Sequence, residues 1–366
     1  MIYVLGIRYI TNLGLRHYTL AQMIKNSNNL GFWGKLKKPV MVLAPMADVT
    51  DCAFRQIIAK YGKPDVFWTE FVSADGLAHK EAREKLLIDL KFSKNEHPIV
   101  AQIFGSNVDN IREASKLCKD LGFDGVDINM GCPDKSIEKQ GAGAGMIKNP
   151  KLAREVIRAA KEGAGDLPVS VKTRIGYNKN EMETWLREIL SEDIAVLTVH
   201  LRTRKEMSLV PAHWDLMSRI VEIRNEINKD TLIFGNGDVV DIEDGKNKCK
   251  DMGCDGVMLG RAIFGNPWLF SPKKNFLAFL QPLSGTFRLQ NSSSVPTIKQ
   301  KLKVMVEHTK LFEEMLGKYK NFAIMKKHYK AYVNGFDGAK ELRMKLMEAE
   351  NATEVEQITN DFSVKI

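Results

Sequence analysis

Residues 125–176 read GVDINMGCPDKSIEKQGAGAGMIKNPKLAREVIRAAKEGAGDLPVSVKTRIG. The stretch opens on a short apolar run, GVDINMG (125–131), and closes on another, PVSVKTRIG (168–176). Between them lie a bend of small residues and the segment NPKLAREVIRAAKEGAG (149–165), with apolar residues at three and four spacing and glycine at its end. That spacing and that stop predict an amphipathic helix. Runs that are apolar throughout, rather than alternately, belong to strands covered on both faces, as in a parallel sheet.

The same rhythm extends in both directions. Further apolar runs are VMVLAPM (40–46), DVFWTE (65–70), PIVAQIFG (98–105), IAVLTVH (194–200), TLIFGNGD (231–238) and GVMLGRA (256–262), and most gaps carry a helical pattern such as NVDNIREASKLCKDLGF (107–123). Eight strands in a span of roughly 250 residues is the size of a closed (β/α)8 barrel. A doubly wound open sheet is the second choice, weakened by the lack of a GxGxxG after the first strand and by a surplus of repeats. The expected class is therefore α/β, a (β/α)8 TIM barrel followed by a small C-terminal helical domain. After LSGTFRLQNSSSVPT (283–297), a polar break, the chain shows only helical stripes: IKQKLKVMVEHTKLFEEMLG, NFAIMKKHYKAYVNGF and GAKELRMKLMEAENATEVEQI. The expected division is a basic N-terminal extension at 1–31, a barrel at 32–285, a linker at 286–297 and a helical domain at 298–366.

Composition narrows the function. Apolar residues make up 44% and charged residues 27%, an ordinary globular balance, and no apolar run is long enough to span a bilayer. Five scattered cysteines without a CxxC pair argue against a disulfide framework and a zinc set, and for a reducing, cytoplasmic setting. The N-terminal extension lacks the pattern of a secretory signal. Net charge is +9, and between residues 296 and 345 twelve Lys/Arg face five Asp/Glu. An anionic polymer is the functional reading of that excess, and a solvated lysine-rich surface is the plain one.

In such a barrel the site lies at the C-terminal ends of the strands. Those ends carry Pro45, Met46 and Ala47 on strand one, Gln102 on strand three, and Asn129 then Cys132 on strand four. Strand five carries Lys172 and Arg174, strand six His200 then Arg202, strand seven Asn236, Gly237 and Asp238, and strand eight Gly260 and Arg261. Glycine turns after strands seven and eight suit a phosphate, and Arg261 can add a charge-assisted bond. Lys172 suits negative charge developing on an electron-accepting ring. The set lacks the carboxylate clusters that hold Mg²⁺ and the His/Cys sets that hold Zn²⁺, so no metal is expected. A phosphorylated heterocycle fits, with flavin mononucleotide (FMN) the natural candidate. A thiol at a bend serves as nucleophile or acid, and an ordinary pKa of ~8.5 makes proton donation the easier role.

PMADVTDCAFR (45–55), TEFVSADGL (69–77), DINMGCPDKSIEKQGAGAGM (127–146), VKTRIG (171–176), VHLRTR (199–204), PAHWDLM (211–217), GNGDV (235–239) and DGVMLGRAIFGNPW (255–268) together resemble the tRNA-dihydrouridine synthases, above all the bacterial B-type branch. The tail MKKHYKAYVNGFDGAKELRMKL (325–346) is similar to that family's helical domain. The resemblance implies an FMN barrel that uses NADPH to reduce a uracil C5–C6 bond in the D-loop of tRNA. Carried over, Cys132 is the general acid that protonates C5 as hydride from flavin N5 reaches C6. Pro45, Met46, Ala47, Gln102, Lys172, His200, Asn236, Gly237, Asp238, Gly260 and Arg261 are the cofactor positions. Asn129, Arg174 and Arg202 at the mouth, with Lys326, Lys327 and Arg343 in the tail, are expected to meet the tRNA. A monomer is expected, and removal of residues 290–366 is expected to spare flavin while weakening tRNA binding. Leu201 stands where the family has glycine, so an altered approach to the flavin phosphate or the tRNA backbone is expected there. Two alternatives stand beside this: an FMN barrel oxidoreductase for a small pyrimidine or related metabolite, and a flavin-free RNA-binding barrel.

Overall fold

The computed structural model describes residues 29–271 and 296–364. Most of the expected N-terminal extension and nearly all of the expected linker lie outside the described residues. The strands are β1 (Val40–Leu43), β2 (Phe67–Trp68), β3 (Val72–Ser73), β4 (Ile99–Phe104), β5 (Gly125–Met130), β6 (Val169–Arg174), β7 (Val196–His200), β8 (Leu232–Asn236) and β9 (Gly256–Leu259). All pair in parallel, in the order β1-β9-β8-β7-β6-β5-β4-β2, with β3 beside β4. A parallel bridge from Val42 to Val66 brings β1 against the start of β2 and closes the ring.

The helices on the outside of the barrel are α1 (Cys52–Tyr61), α2 (Ala74–Ala78), α3 (Lys80–Leu86), α4 (Val108–Asp120), α5 (Lys135–Lys139), α6 (Pro150–Ala164), α7 (Met182–Leu190), α8 (Met217–Ile227) and α9 (Ile242–Met252). Asp51, Asn107, Asp134, Asn149 and Asp241 cap α1, α4, α5, α6 and α9 by accepting from first-turn N–H groups. Each such cap is worth about 1 kcal/mol and sets where strand-end loop becomes helix. No helix among the described residues is long and apolar enough to cross a membrane.

Strand parity splits the buried residues into two cores. Met41, Leu43, Ala101, Ile103, Ile128, Val171, Leu197 and Ile233 pack outward under the helices. Val40, Val42, Trp68, Val100, Val196, Phe234 and Met258 fill the barrel interior, with Trp33 packed among them and its ring 5.5 Å from Trp68 and 5.6 Å from Phe234. Toward the C-terminal ends the inward positions turn polar: Gln102, Asp127, Asn129, Ser170, Lys172, Thr198, His200 and Asn236. The apolar lower barrel thus supports a polar mouth.

The second strand is shorter than the run DVFWTE suggests. Thr69 Oγ1 accepts the Gln102 N–H at 3.1 Å, a place a strand carbonyl would otherwise take, and pairing resumes only at β3. Beyond the barrel come α10 (Ile298–Leu316), α11 (Met325–Tyr332), α12 (Ala339–Glu348) and α13 (Ala352–Ser363). The third sequence stripe is two helices, because Ala349 is extended and Asn351 caps α13. This helical region docks on α1: the Phe54 ring lies 4.7 Å from His308 and 4.8 Å from His328. Both histidines are fully buried, and burial pushes them well down, His328 to about 3, so they pack as neutral rings.

Candidate active site

The bend after β5 is built by one amide. Asn129 Oδ1 accepts the N–H groups of Gly131 and Cys132 at 3.0 and 2.9 Å. Its Nδ2 donates to Gln102 Oε1 at 3.0 Å, and Gln102 Nε2 donates to Asp127 Oδ2 at 2.6 Å. Ser170 Oγ donates to the other Asp127 oxygen at 2.5 Å, so the network spans β4, β5 and β6. Burial pushes the Asp127 carboxyl up to about 6. Asn129, expected to meet substrate, shapes the thiol loop, and Gln102 anchors it.

The small residues after Cys132 have a steric reason. Gly143 sits at φ +56, and a Cβ there would lie 2.7 Å from the Cys132 carbonyl oxygen. The Ala144 N–H donates to that same oxygen at 2.9 Å, drawing the loop back on itself. Cys132 ends up half-buried. Burial pushes its thiol up; a backbone N–H and the cations Arg174 and Lys172 pull the other way without overcoming it. The thiol keeps its proton at neutral pH.

Arg174 is 6% exposed, and its guanidinium ties two loops together. Nε donates to Gly131 O at 2.7 Å, and Nη1 to Thr203 O and Met207 O at 3.1 and 2.9 Å. Burial and neighbouring arginines lower it to about 10, so it stays charged. Lys172 Nζ donates to Asn236 Oδ1 at 3.3 Å, and Asn236 Nδ2 to Met258 O at 2.8 Å. Burial, then Arg174, lowers Lys172 to about 8, which leaves an ammonium at pH 7.

Arg202 differs from expectation. It is 2% exposed and turned inward, with Nε on Val210 O at 2.7 Å, Nη1 3.1 Å from His200 Nε2, and Nη2 on Asp238. A guanidinium only donates, so His200 accepts at Nε2 and carries its proton on Nδ1. Burial, with Lys172, Arg174, Arg202 and Arg261 nearby, holds His200 well below its usual value and neutral. Arg202 therefore orients the His200 ring.

The turns after β8 and β9 form the opposite wall. Gly237 has φ +124, and a Cβ there would strike Ala212 Cβ at 2.8 Å. Asp238, at φ +50, accepts from Arg202, from the Ala212 N–H at 2.8 Å and from Arg261 Nη2 at 2.5 Å, which together hold its carboxyl low. The N–H groups of Gly237, Asp238 and Arg261 donate to no acceptor among the described residues. Free N–H groups on glycine turns beside an Arg261 side chain that is 66% exposed make a cradle for an anion. The Gly260 Cα faces Ala44 Cβ and Met46 Sδ, which places the Pro45–Ala47 turn next to this wall.

The family model for "Dihydrouridine synthase (Dus)" matches residues 42–366. The chain belongs to the dihydrouridine synthase family. It is 39% identical over 339 residues to the "Probable tRNA-dihydrouridine synthase" of Staphylococcus aureus, covering 92% of this chain and 96% of that one. It is 40% identical over 336 residues to the "Probable tRNA-dihydrouridine synthase 2" of Bacillus subtilis, covering 91% and 97%. Among solved structures it is similar to the old yellow enzyme homologue of Zymomonas mobilis, at 15% identity and TM-score 0.46 over 67% and 89% of the two chains.

The Leu201 side chain is fully buried in the outer core, and its backbone bonds Asn236 O and the His213 N–H. The side chain lies on the outer face of the strand end, away from the mouth. Of the helical-region residues expected to meet tRNA, Lys327 and Arg343 each have a partner within the chain. Lys327 pairs with Asp48 of the barrel at 3.3 Å. Arg343 Nη1 holds Val333 O at 2.8 Å and lines a depression with Lys330 and Lys340. Those two lysines were not singled out in the sequence. Asp127 was missed as well, although it shares the inward parity of Asn129.

Proposed function

We propose that this chain reduces uridine to 5,6-dihydrouridine in the D-loop of tRNA, with FMN as cofactor and NADPH as reductant. The observation that carries the reading is a protonated thiol fixed at the barrel mouth beside two cations, opposite a cradle fit for a phosphate. The Pro45–Ala47 turn, Lys172, His200, Asn236, the Gly237 and Asp238 turn, Gly260 and Arg261 would hold the flavin. When bound, it supplies the hydride that goes to uracil C6.

The chain's own groups do the rest. Cys132 gives its S–H proton to C5, so that the new C5–H bond forms as the S–H bond breaks. A placed acid of this kind is worth about 10²–10⁴ in rate. Lys172 and Arg174 stabilise both the negative charge on the ring and the thiolate left behind, which regains a proton from water. The target base must leave its stack, at a cost of a few kcal/mol. Lys330, Lys340 and the remaining Arg343 donors, with the helical domain at 298–366, offer phosphate contacts that offset this and make binding salt-dependent. One chain supplies every group, so a monomer suffices.

The test is incubation of unmodified tRNA with the holoenzyme and NADPH, followed by mass spectrometry of nuclease fragments. A gain of two hydrogens on a D-loop uridine is expected. Unchanged tRNA, with free pyrimidines reduced instead, would favour the small-molecule alternative.

A further inference from the structure

A charge relay that this scheme does not use ties the helical region to the loop after β1. Asp48 in that loop sits at φ +53, a conformation a non-glycine residue holds only when its surroundings impose it. Its N–H donates to Glu70 Oε1 at 2.5 Å, and its carboxylate meets Lys327. Glu70 is 4% exposed and gives its other oxygen to Lys320 Nζ at 2.8 Å. Lys320 follows α10, is itself 13% exposed, and also pairs with Asp89 at 2.7 Å. Asp51, the cap of α1, lies close by with Oδ2 buried and unpartnered. Burial and the Glu70 charge push Asp51 up to about 7. Two carboxylates of the barrel region, Glu70 and Asp89, thus converge on one cation from the helical region. Without that cation Glu70 becomes a buried charge lacking its counter-ion, and must take up a proton or turn toward water. Either change disturbs the acceptor that holds the Asp48 N–H.

We propose that Lys320 is a positioning residue for the Pro45–Asp48 turn, so that the helical region shapes the cofactor wall of the barrel as well as meeting RNA. The inference rests on the reading of that turn as part of the flavin site. It modifies the sequence expectation that removal of residues 290–366 spares flavin.

The experiment measures FMN affinity by quenching of flavin fluorescence in full-length protein. Lys320→Met should weaken FMN at least tenfold. Adding Glu70→Gln, which removes the stranded charge but keeps an oxygen for Asp48, should restore most of that loss. Lys60→Met breaks a different link between the same two regions, the pair with Glu307, and should leave FMN affinity unchanged. Wild-type affinity in Lys320→Met overturns the inference, as does an equal loss in Lys60→Met or additive losses in the double variant. A wild-type protein that binds no FMN refutes the functional reading, and the inference with it.

Discussion

Gly143→Ala tests whether the thiol's position, rather than its presence alone, sets the rate. Gly143 touches no reacting group, but its φ of +56 and the 2.7 Å from a built Cβ to the Cys132 carbonyl oxygen make it a lever on the loop. Alanine at positive φ costs about 1–2 kcal/mol. At an unfolding entropy of about 2 cal/mol/K per residue, a chain of 366 residues loses roughly 1.3 °C per kcal/mol, so Tm should fall by roughly 1–3 °C. Relief to an ordinary contact of 3.4 Å needs a displacement of roughly 0.7 Å at Cys132 O, with Ile137 Cγ2 at 2.9 Å closing the other escape. Misplacement of about 1 Å can cost ~10² in rate, so tRNA reduction should slow about 10–100-fold. Gly122→Ala is the control: φ is +86, and nothing lies within 4 Å of the built Cβ. It should lower Tm comparably and leave the rate alone. The assay is anaerobic single turnover of pre-reduced enzyme with unmodified tRNA, alongside thermal melts. A wild-type rate in Gly143→Ala, or an equal slowing in Gly122→Ala, would refute the reasoning.

Cys132→Ala should keep bound flavin and its reduction by NADPH while tRNA reduction falls about 10²–10⁴-fold; unimpaired turnover would remove the thiol from the scheme. Lys172 is lowered to about 8 from 10.5, so between those values the unfolded apoprotein binds more protons and stability should rise with pH. Over the same range the ammonium is lost, so FMN affinity should fall as pH passes about 8, and Lys172→Met should flatten both profiles in titration and melting experiments. Asp51 is raised from 3.8 to about 7, so the native state holds the extra proton and stability should decline as pH rises between them. Asp51→Asn keeps an oxygen to cap Phe54 N and should reduce that decline; melting curves of parallel pH dependence in wild type and variant would contradict it.

The eight-fold alternation was legible because strands buried on both faces read as unbroken apolar runs. The same continuity hid the division into inner and outer cores, which depends on parity. Gln102, Asn129 and Lys172 stood out as polar residues at strand ends, but Asp127, two residues before Asn129, passed as a strand interior. Local pattern also gave no sign of where long side chains turn. Arg202 lies next to the mouth in sequence, yet its donors go to Val210 O, His200 and Asp238. Leu201 points into the core for the same reason of strand alternation. Contacts between distant segments were the least legible. Lys320 and Lys327 read as members of a basic surface, and each is paired with a carboxylate more than two hundred residues earlier. The cysteine bend was the clearest local signal, since a thiol followed by residues without bulk leaves few other packings.

The most direct measurement is the oxidative half-reaction. Purified enzyme is reduced anaerobically with NADPH, freed of excess reductant and mixed with unmodified tRNA, and the flavin absorbance band is followed. The expected result is rapid reoxidation by tRNA and none by orotate or free uracil. Flavin that stays reduced in the presence of tRNA would contradict the assignment, and reoxidation by a free pyrimidine in its place would move the substrate to a small molecule.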